Sequence, residues 1–329
     1  MLKVAMVSRW HAHANGYVKS LRDLGEERVK ITAVWDEDAA RGKAWATELG
    51  VDFEEDYGKL LDRGDVEAII CDAPTTWHED LMIRAANKKK HIFTEKAMAP
   101  TVKECVNIGK AVEANGVIFV ISMPQRTSAV ARLAKKMIDN GTFGKISLIR
   151  IRNGHSGVSD GWLPEYWFDE SATAGGALMD LGCHPMYMAA YLLDKPIKLT
   201  AMMNNPFGRN VDEAATVSIL YESGAVCTGE TSFVTFASPG ILEVYGSEAT
   251  LISCGDDVKF KSRKTAEFTD EFIVPRLPGA LPSSIEQFVD ACNNNTGCPK
   301  DFTVRDGIDL TLLLENAYIS HKTGKTIVL

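Results

Sequence analysis

The chain has 329 residues, 45% hydrophobic and 24% charged, with a formal net charge of −8. That length is too great for one small core and points to two domains of an ordinary soluble globular protein. The acidic balance, with no basic patch interleaved with aromatics, argues against nucleic acid as a partner, and no apolar stretch reaches the length of a membrane span.

Residues 1–7 lead straight into a strand-like segment, so no signal peptide is expected. The seven cysteines (71, 105, 183, 227, 254, 292 and 298) are odd in number and never spaced Cys-x-x-Cys. Such usage fits reduced thiols in a cytoplasmic protein rather than a disulfide framework or a zinc site.

From residue 1 to about 122, short apolar runs at 3–7, 29–35, 66–71, 91–94 and 117–121 alternate with amphipathic stretches at 17–24, 38–49, 81–87 and 103–114. Apolar strands separated by helices of this length build right-handed βαβ units and a parallel sheet covered on both faces. Ligands bind such sheets beyond the carboxyl ends of the strands, so the loops there hold the candidate residues.

After the first strand a dinucleotide site calls for G-x-G-x-x-G, where this chain has Ser8, Arg9, Trp10, His11, Ala12 and His13. All three glycines are replaced, Trp10 most severely, because the second glycine lets the backbone approach a pyrophosphate. A helix N-terminus still follows, and Arg9 adds a cationic contact for a phosphate. His11-x-His13 also suggests a metal pair, as at the opening of a metal-dependent amidohydrolase barrel. The later chain is not such a barrel and shows no further ligand set, so no metal is expected.

The second strand ends at Asp36, where a carboxylate takes the ribose hydroxyls of NAD and repels the 2′-phosphate of NADP. Either Asp36 or Asp38 caps the next helix, leaving the other for that role. Pro74 and Thr75 form a polar turn before His78, open to two readings, a cofactor contact or a structural turn. Glu95 and Lys96 end the following strand, where a lysine donates to a substrate oxygen that gains negative charge.

In the second half, Pro124-Gln125-Arg126 opens a helix over 128–139 closed by Asn140-Gly141. Arg126 reaches substrate or phosphate, or pairs with an acidic neighbour. Residues 147–152 alternate at strand period. The aromatic segment 161–169, with Trp162 and Trp167, either packs a core or offers flat faces to a sugar ring.

Between Ala174 and Pro185, Asp180 and His184 lie four residues apart, one turn apart on a helix face. A carboxylate beside an imidazole suits general acid–base work. Gly175 and Gly176 leave room for a ligand or another backbone, and Pro185 should kink the helix. Strand runs follow at 197–203, 215–221, 225–233, 241–245, 250–254 and 267–274, a largely antiparallel sheet and an α+β half. If one face of that sheet is apolar, it needs a partner subunit, so a homodimer or homotetramer through the sheet is expected. The last helix, about 305–320, returns towards the first domain.

Taken in order, Asp36, Pro74 and His78, Glu95-Lys96, Gly175-Gly176 with Asp180 and His184, and the ending from Asp306-Gly307 to Lys325-Thr326-Ile327-Val328 resemble the Gfo/Idh/MocA oxidoreductase family over essentially the whole chain. The resemblance implies an N-terminal Rossmann domain (1–122) and a C-terminal α+β domain (123–329) with a large open sheet. It implies an NAD(P)-dependent enzyme acting on CH–OH groups, with NAD the expected cofactor and a sugar, inositol or related polyol the substrate. It assigns Lys96 as the catalytic lysine, His184 as the acid/base, and Asp180 as its helper or a substrate ligand, with Trp162 or Trp167 near the substrate. Two departures stand out: the family's glycines at 8, 10 and 13 are missing, and Ala97 stands where a proline usually follows the lysine.

Hydride transfer between a secondary alcohol and NAD is the leading expectation. One alternative keeps the cofactor but nets no redox change, eliminating a leaving group through a transient ketone. The other is a ligand-binding relative without hydride chemistry.

Overall fold

The computed structural model describes residues 1–263 and 271–329. Among these residues no helix is long and apolar enough to cross a membrane. They form two compact units, one of residues 1–123 with 282–311, the other of 124–281 with 312–329.

The first unit opens with β1 (Leu2–Val7), α1 (Ala14–Leu24), β2 (Val29–Trp35), α2 (Ala39–Leu49), β3 (Asp52–Phe53) and α3 (Tyr57–Asp62). It continues with β4 (Ala68–Cys71), α4 (His78–Asn87), β5 (His91–Thr94), α5 (Val102–Asn115) and β6 (Phe119–Ile121). The strands pair in parallel in the order β3-β2-β1-β4-β5-β6, which reverses direction beside β1, the order of dinucleotide-binding sheets. β4 is buried at every position, as expected of a strand covered on both faces. Asp38 caps α2 through the amides of Ala40 and Arg41, and Thr101 with Glu104 forms a capping box on α5. β3 and α3 were not expected; a two-residue strand has no period to detect.

The second unit comprises α6 (Ala129–Asp139), β7 (Ile146–Gly154), α7 (Glu170–Thr173), α8 (Ala177–Asp180), α9 (Cys183–Leu192) and β8 (Pro196–Asn204). β9 (Ala214–Tyr221), β10 (Val226–Ser232), β11 (Ile241–Gly246), β12 (Ala249–Cys254) and β13 (Asp257–Ser262) follow. With β14 (Ile327–Val328) they form an eight-stranded sheet, order β13-β12-β11-β7-β10-β9-β8-β14, antiparallel except at β7–β10. Alternate residues of β9 and β10 are buried, and α9 packs against β7 and β10. Half of the strand expected at 267–274 lies outside the described residues; Ile273 makes one bridge to Phe260.

The division falls after Met123, one residue from the expected 122/123, but the second unit is not the continuous 123–329. Residues 282–311, with α10 (Ser284–Asn294) and the start of α11 (Val304–Thr323), belong to the first unit. α10 buries Ile285, Phe288 and Val289 and packs on α1, β1, β5 and β6, its Phe288 ring 5.8 Å from Phe93. Arg28 pairs with Glu286 and Asp290, and the Ile121 amide donates to Phe302 O at 3.0 Å. An apolar face on β5 and β6 thus takes its cover from far along the chain.

His91, opening β5, accepts the Ile118 amide on Nδ1 at 2.9 Å, and burial lowers its pKa against the pull of Glu67. A histidine with a depressed folded pKa contributes stability above the unfolded value, about 6.5, that is lost as pH falls. The protein should therefore melt lower at about pH 5 than at about pH 7.5. His91→Asn, which keeps an acceptor but does not titrate, should narrow that gap in a calorimetric comparison; an undiminished gap would exclude this origin.

Candidate functional site

At the carboxyl end of β1 the loop keeps its turn without glycine. Ser8 takes the left-handed conformation (φ 70°) and accepts the Trp10 amide on its hydroxyl at 3.0 Å. Trp10 is buried rather than projecting into solvent. Arg9 donates its amide to Asp36 (2.9 Å) and its guanidinium to Glu48 (2.7 Å).

Asp36 is not left open, contrary to expectation. Its oxygens accept the Arg9 and Asp38 amides and the Arg41 guanidinium, with Nη2 at 2.7 Å. A carboxylate has about four lone-pair positions, so ribose hydroxyls must share or displace Arg41 there. Asp38 does the capping, as one of the two had to.

Glu95 is the centre of the first unit's polar interior. His13 Nδ1 lies 3.1 Å from its Oε2, the Tyr17 hydroxyl bridges Oε2 and Ser122 Oγ, and the Lys96 amide donates to Oε1 at 3.0 Å. Lys96 Nζ, equally buried, is 3.8 Å from Oε1. Burial alone would raise the Glu95 pKa, but His13, His11 and Lys96 outweigh it and hold it well below the carboxylate range. Asp72, fully buried at the end of β4, is pushed well above that range by burial and by the Glu95 charge. The two buried carboxyl groups are thus shifted in opposite directions.

The Lys96–Ala97 peptide is cis. His78 faces Ala97 O (3.1 Å) and Met98 O (3.2 Å) with Nδ1 and Ala73 O (3.0 Å) with Nε2, and burial lowers its pKa. Of the two readings of the Pro74 turn, His78 fulfils the structural one, tying the loop after β4 to the one after β5. Pro74 and Thr75 are buried at the start of a short 3-10 turn, Thr75–Trp77.

In the second unit the helix expected to carry both Asp180 and His184 is broken. α8 ends at Asp180, and α9 starts at Cys183 after a link at Leu181 and Gly182. A Cβ on Gly182 would lie 2.8 Å from the Leu178 backbone, so the break needs glycine. Pro185 sits in the first turn of α9, where a proline is tolerated. Asp180, half-buried, accepts the Cys183 thiol on its backbone oxygen at 2.7 Å.

His184 Nδ1 is 2.7 Å from the Tyr187 hydroxyl, whose oxygen accepts the Gln125 amide at 3.1 Å. Arg126 is buried, donating to Tyr187 O at 3.0 Å with its guanidinium over the Tyr187 and Tyr191 rings (5.7 and 5.2 Å). Trp167 is buried, as core packing requires, whereas Trp162 is 55% exposed with its ring 4.6 Å from His155.

Gly175 and Gly176 admit protein, not a ligand. A Cβ on Gly176 would lie 2.0 Å from Asp212 O, and one on Gly175 2.1 Å from the Tyr318 hydroxyl. The Asp212 carboxylate accepts the Gly176 and Leu178 amides (2.8 and 2.7 Å) and the Tyr318 hydroxyl (2.7 Å), capping α8 from a distant loop. Sequence reasoning missed Asp212, Tyr318, Tyr187 and Tyr17. Only Tyr187, three residues after His184 on a helix, carried a local signal.

Comparison with known proteins gives a consistent result. Residues 6–123 match the profile of an oxidoreductase family, NAD-binding Rossmann fold (GFO/IDH/MocA), and 131–252 match the GFO/IDH/MocA C-terminal domain. The chain is 30% identical to scyllo-inositol 2-dehydrogenase (NAD(+)) of Bacillus subtilis over 232 residues, 68% of this chain and 66% of that enzyme. It is 27% identical to the uncharacterized oxidoreductase YrbE of the same organism over 293 residues, 85% and 83% of the two chains. Its fold is similar to that of a levoglucosan dehydrogenase solved with NADH and levoglucosan, with a TM-score of 0.84, 20% identity, and 100% and 99% of the chains covered.

Asp212 supports the segment that leads to His184, and Asp212→Ala leaves the two amides and the Tyr318 hydroxyl unmatched. The variant should lose about 2–3 kcal/mol of stability and roughly 5–10 °C of Tm. Asp212→Asn, which keeps one acceptor oxygen, should fall between; equal melting of all three proteins would exclude the cap.

Proposed function

Because the chain belongs to the GFO/IDH/MocA oxidoreductase family and carries its NAD-binding Rossmann domain, we propose that it transfers hydride between NAD and a secondary alcohol of a sugar, inositol or related polyol. The observation that carries this reading is Lys96, a buried ammonium at the carboxyl end of β5 beside an ionised Glu95.

The loop fits a dinucleotide in one respect that its sequence obscures: Ser8 adopts the left-handed turn that a glycine normally supplies. Ser8, Arg9, Trp10, His11, Asp36, Pro74, Thr75, Glu95 and Lys96 would hold the cofactor. Bound NAD supplies the carbon that accepts or returns the hydride. A carboxylate at the end of β2 favours NAD over NADP.

Lys96 donates to the substrate oxygen and stabilises the charge it gains as its proton leaves. His184 takes that proton. For Nε2 to act as the base, Nδ1 must carry hydrogen and donate it. The Tyr187 oxygen can accept that hydrogen, since the Gln125 amide uses only one of its lone pairs. Asp180 binds a second substrate hydroxyl, and the exposed Trp162 offers its face to the ring. Arg126 acts indirectly, fixing the helix that carries His184. The similarity to the NAD-dependent inositol dehydrogenase supports the polyol class.

Purified protein should reduce NAD in the presence of one member of a panel of inositols, anhydrosugars and aldoses, measured by NADH absorbance. Lys96→Met should cut kcat roughly 100- to 1,000-fold while NAD binding, measured by calorimetry, changes little. Unchanged turnover in Lys96→Met would remove the lysine from the mechanism. Tyr187→Phe should lower kcat on the order of tenfold with KM nearly constant, the signature of a misplaced base; a change in KM alone would assign Tyr187 to substrate binding instead.

A further inference from the structure

The first unit also gathers three metal-ligating side chains, two of which, His11 and Glu95, belong to the proposed cofactor site. His11, His13 and Glu95 each offer one ligand atom, and the three atoms lie within 4.8 Å of one another. The histidines come from the loop after β1 and the carboxylate from the end of β5. The expectation of no metal rested on the lack of further ligands after His11-x-His13; the fold brings one from 82 residues beyond His13.

We propose that His11, His13 and Glu95 bind a divalent transition-metal ion of the zinc class. Two imidazoles and one carboxylate suit zinc, cobalt, iron or manganese in the divalent state, and are too nitrogen-rich for calcium or magnesium. Three protein ligands leave a position open to water or another oxygen donor, the arrangement of a reactive rather than a structural site.

A second observation points the same way. Asp72 is fully buried, and among the described residues neither of its carboxyl oxygens has a hydrogen-bond partner. Its backbone oxygen accepts the His11 amide at 3.1 Å, which ties it to the loop that carries both histidines, and its side chain lies near enough to feel the charge of Glu95. A buried carboxyl with no donor costs stability, and a cation alongside removes that cost. Tyr17 and Ser122 complete an outer layer that fixes Glu95, as second-layer groups orient metal-binding carboxylates.

The test uses metal alone, without NAD or polyol, so its outcome is independent of the proposed oxidoreduction. Exposed Cys254 and Cys298 are first alkylated so that thiols do not bind metal. Chelator-stripped full-length protein is then titrated with zinc chloride by calorimetry and with cobalt chloride by visible absorption. One ion per chain is expected, with cobalt showing the strong bands of a low-coordinate site. Glu95→Gln and His13→Gln should each weaken binding by more than about 100-fold and Asp72→Asn by roughly 10- to 100-fold, while His321→Gln leaves it unchanged. The His13 side chain is 48% exposed, so its replacement leaves the core intact. Failure of the wild type to bind zinc, cobalt or manganese overturns the proposal, as does undiminished binding in folded His13→Gln.

Discussion

A carboxylate kept ionised inside a protein is the constraint around which the first unit is arranged. Glu95 has lost nearly all contact with water, and its charge persists only because His13, His11, Tyr17 and Lys96 meet it. Those partners come from the loop after β1, the body of α1 and the end of β5, so one anion aligns three segments of the sheet's carboxyl edge. Removing any partner leaves the charge short of compensation in a medium that solvates it poorly. Burial and the same charge push the Asp72 pKa up, and Lys96 is seated beside Glu95. This local electrostatics makes the unusual first loop intelligible: where glycines would let a phosphate reach bare backbone, this chain has placed imidazoles over an anion of its own.

The second unit solves a comparable problem with a neutral framework. Two short helices, α8 and α9, are joined by a glycine link, and the amides at the start of α8 need acceptors. Asp212 and Tyr318 meet them from other parts of the unit, and the Gln125 amide, Tyr187 and Arg126 fix the next helix. His184 is therefore anchored from both sides along the chain. Its position owes little to the spacing from Asp180 and much to groups brought in by tertiary folding.

The architecture was largely legible before coordinates. Apolar runs separated by amphipathic ones specified the parallel sheet, and closely spaced alternating runs the antiparallel one, because hydrophobic period is local. Short elements escaped, β3 and β14 among them, since two residues at an edge carry little pattern; β13 was missed although its Asp-Val-Lys-Phe-Lys alternates at strand period. The sites were harder. Asp36 follows β2 directly, and its pairing with Arg41 depends on how a guanidinium folds back, which spacing does not encode. Asp180 and His184 have helix spacing, but Gly182 permits a sharper turn than a helix. Glu95 with His13, and Asp212 with Gly176, are matches across long stretches of chain, decided by topology.

The path of the chain through the two units has a consequence for biosynthesis. The first unit is interrupted after Met123 and resumes only at Pro282, so 158 residues of the other unit emerge from the ribosome in between. At about 5–20 residues per second, that interval lasts roughly 8–30 s. Until it ends, β5 and β6 lack α10, and an apolar surface built from such residues as Phe93 stays open to water or to a chaperone. The nucleotide-binding half starts to form first and finishes late, leaving the nascent chain exposed to aggregation for as long as its own sheet waits for its last helix.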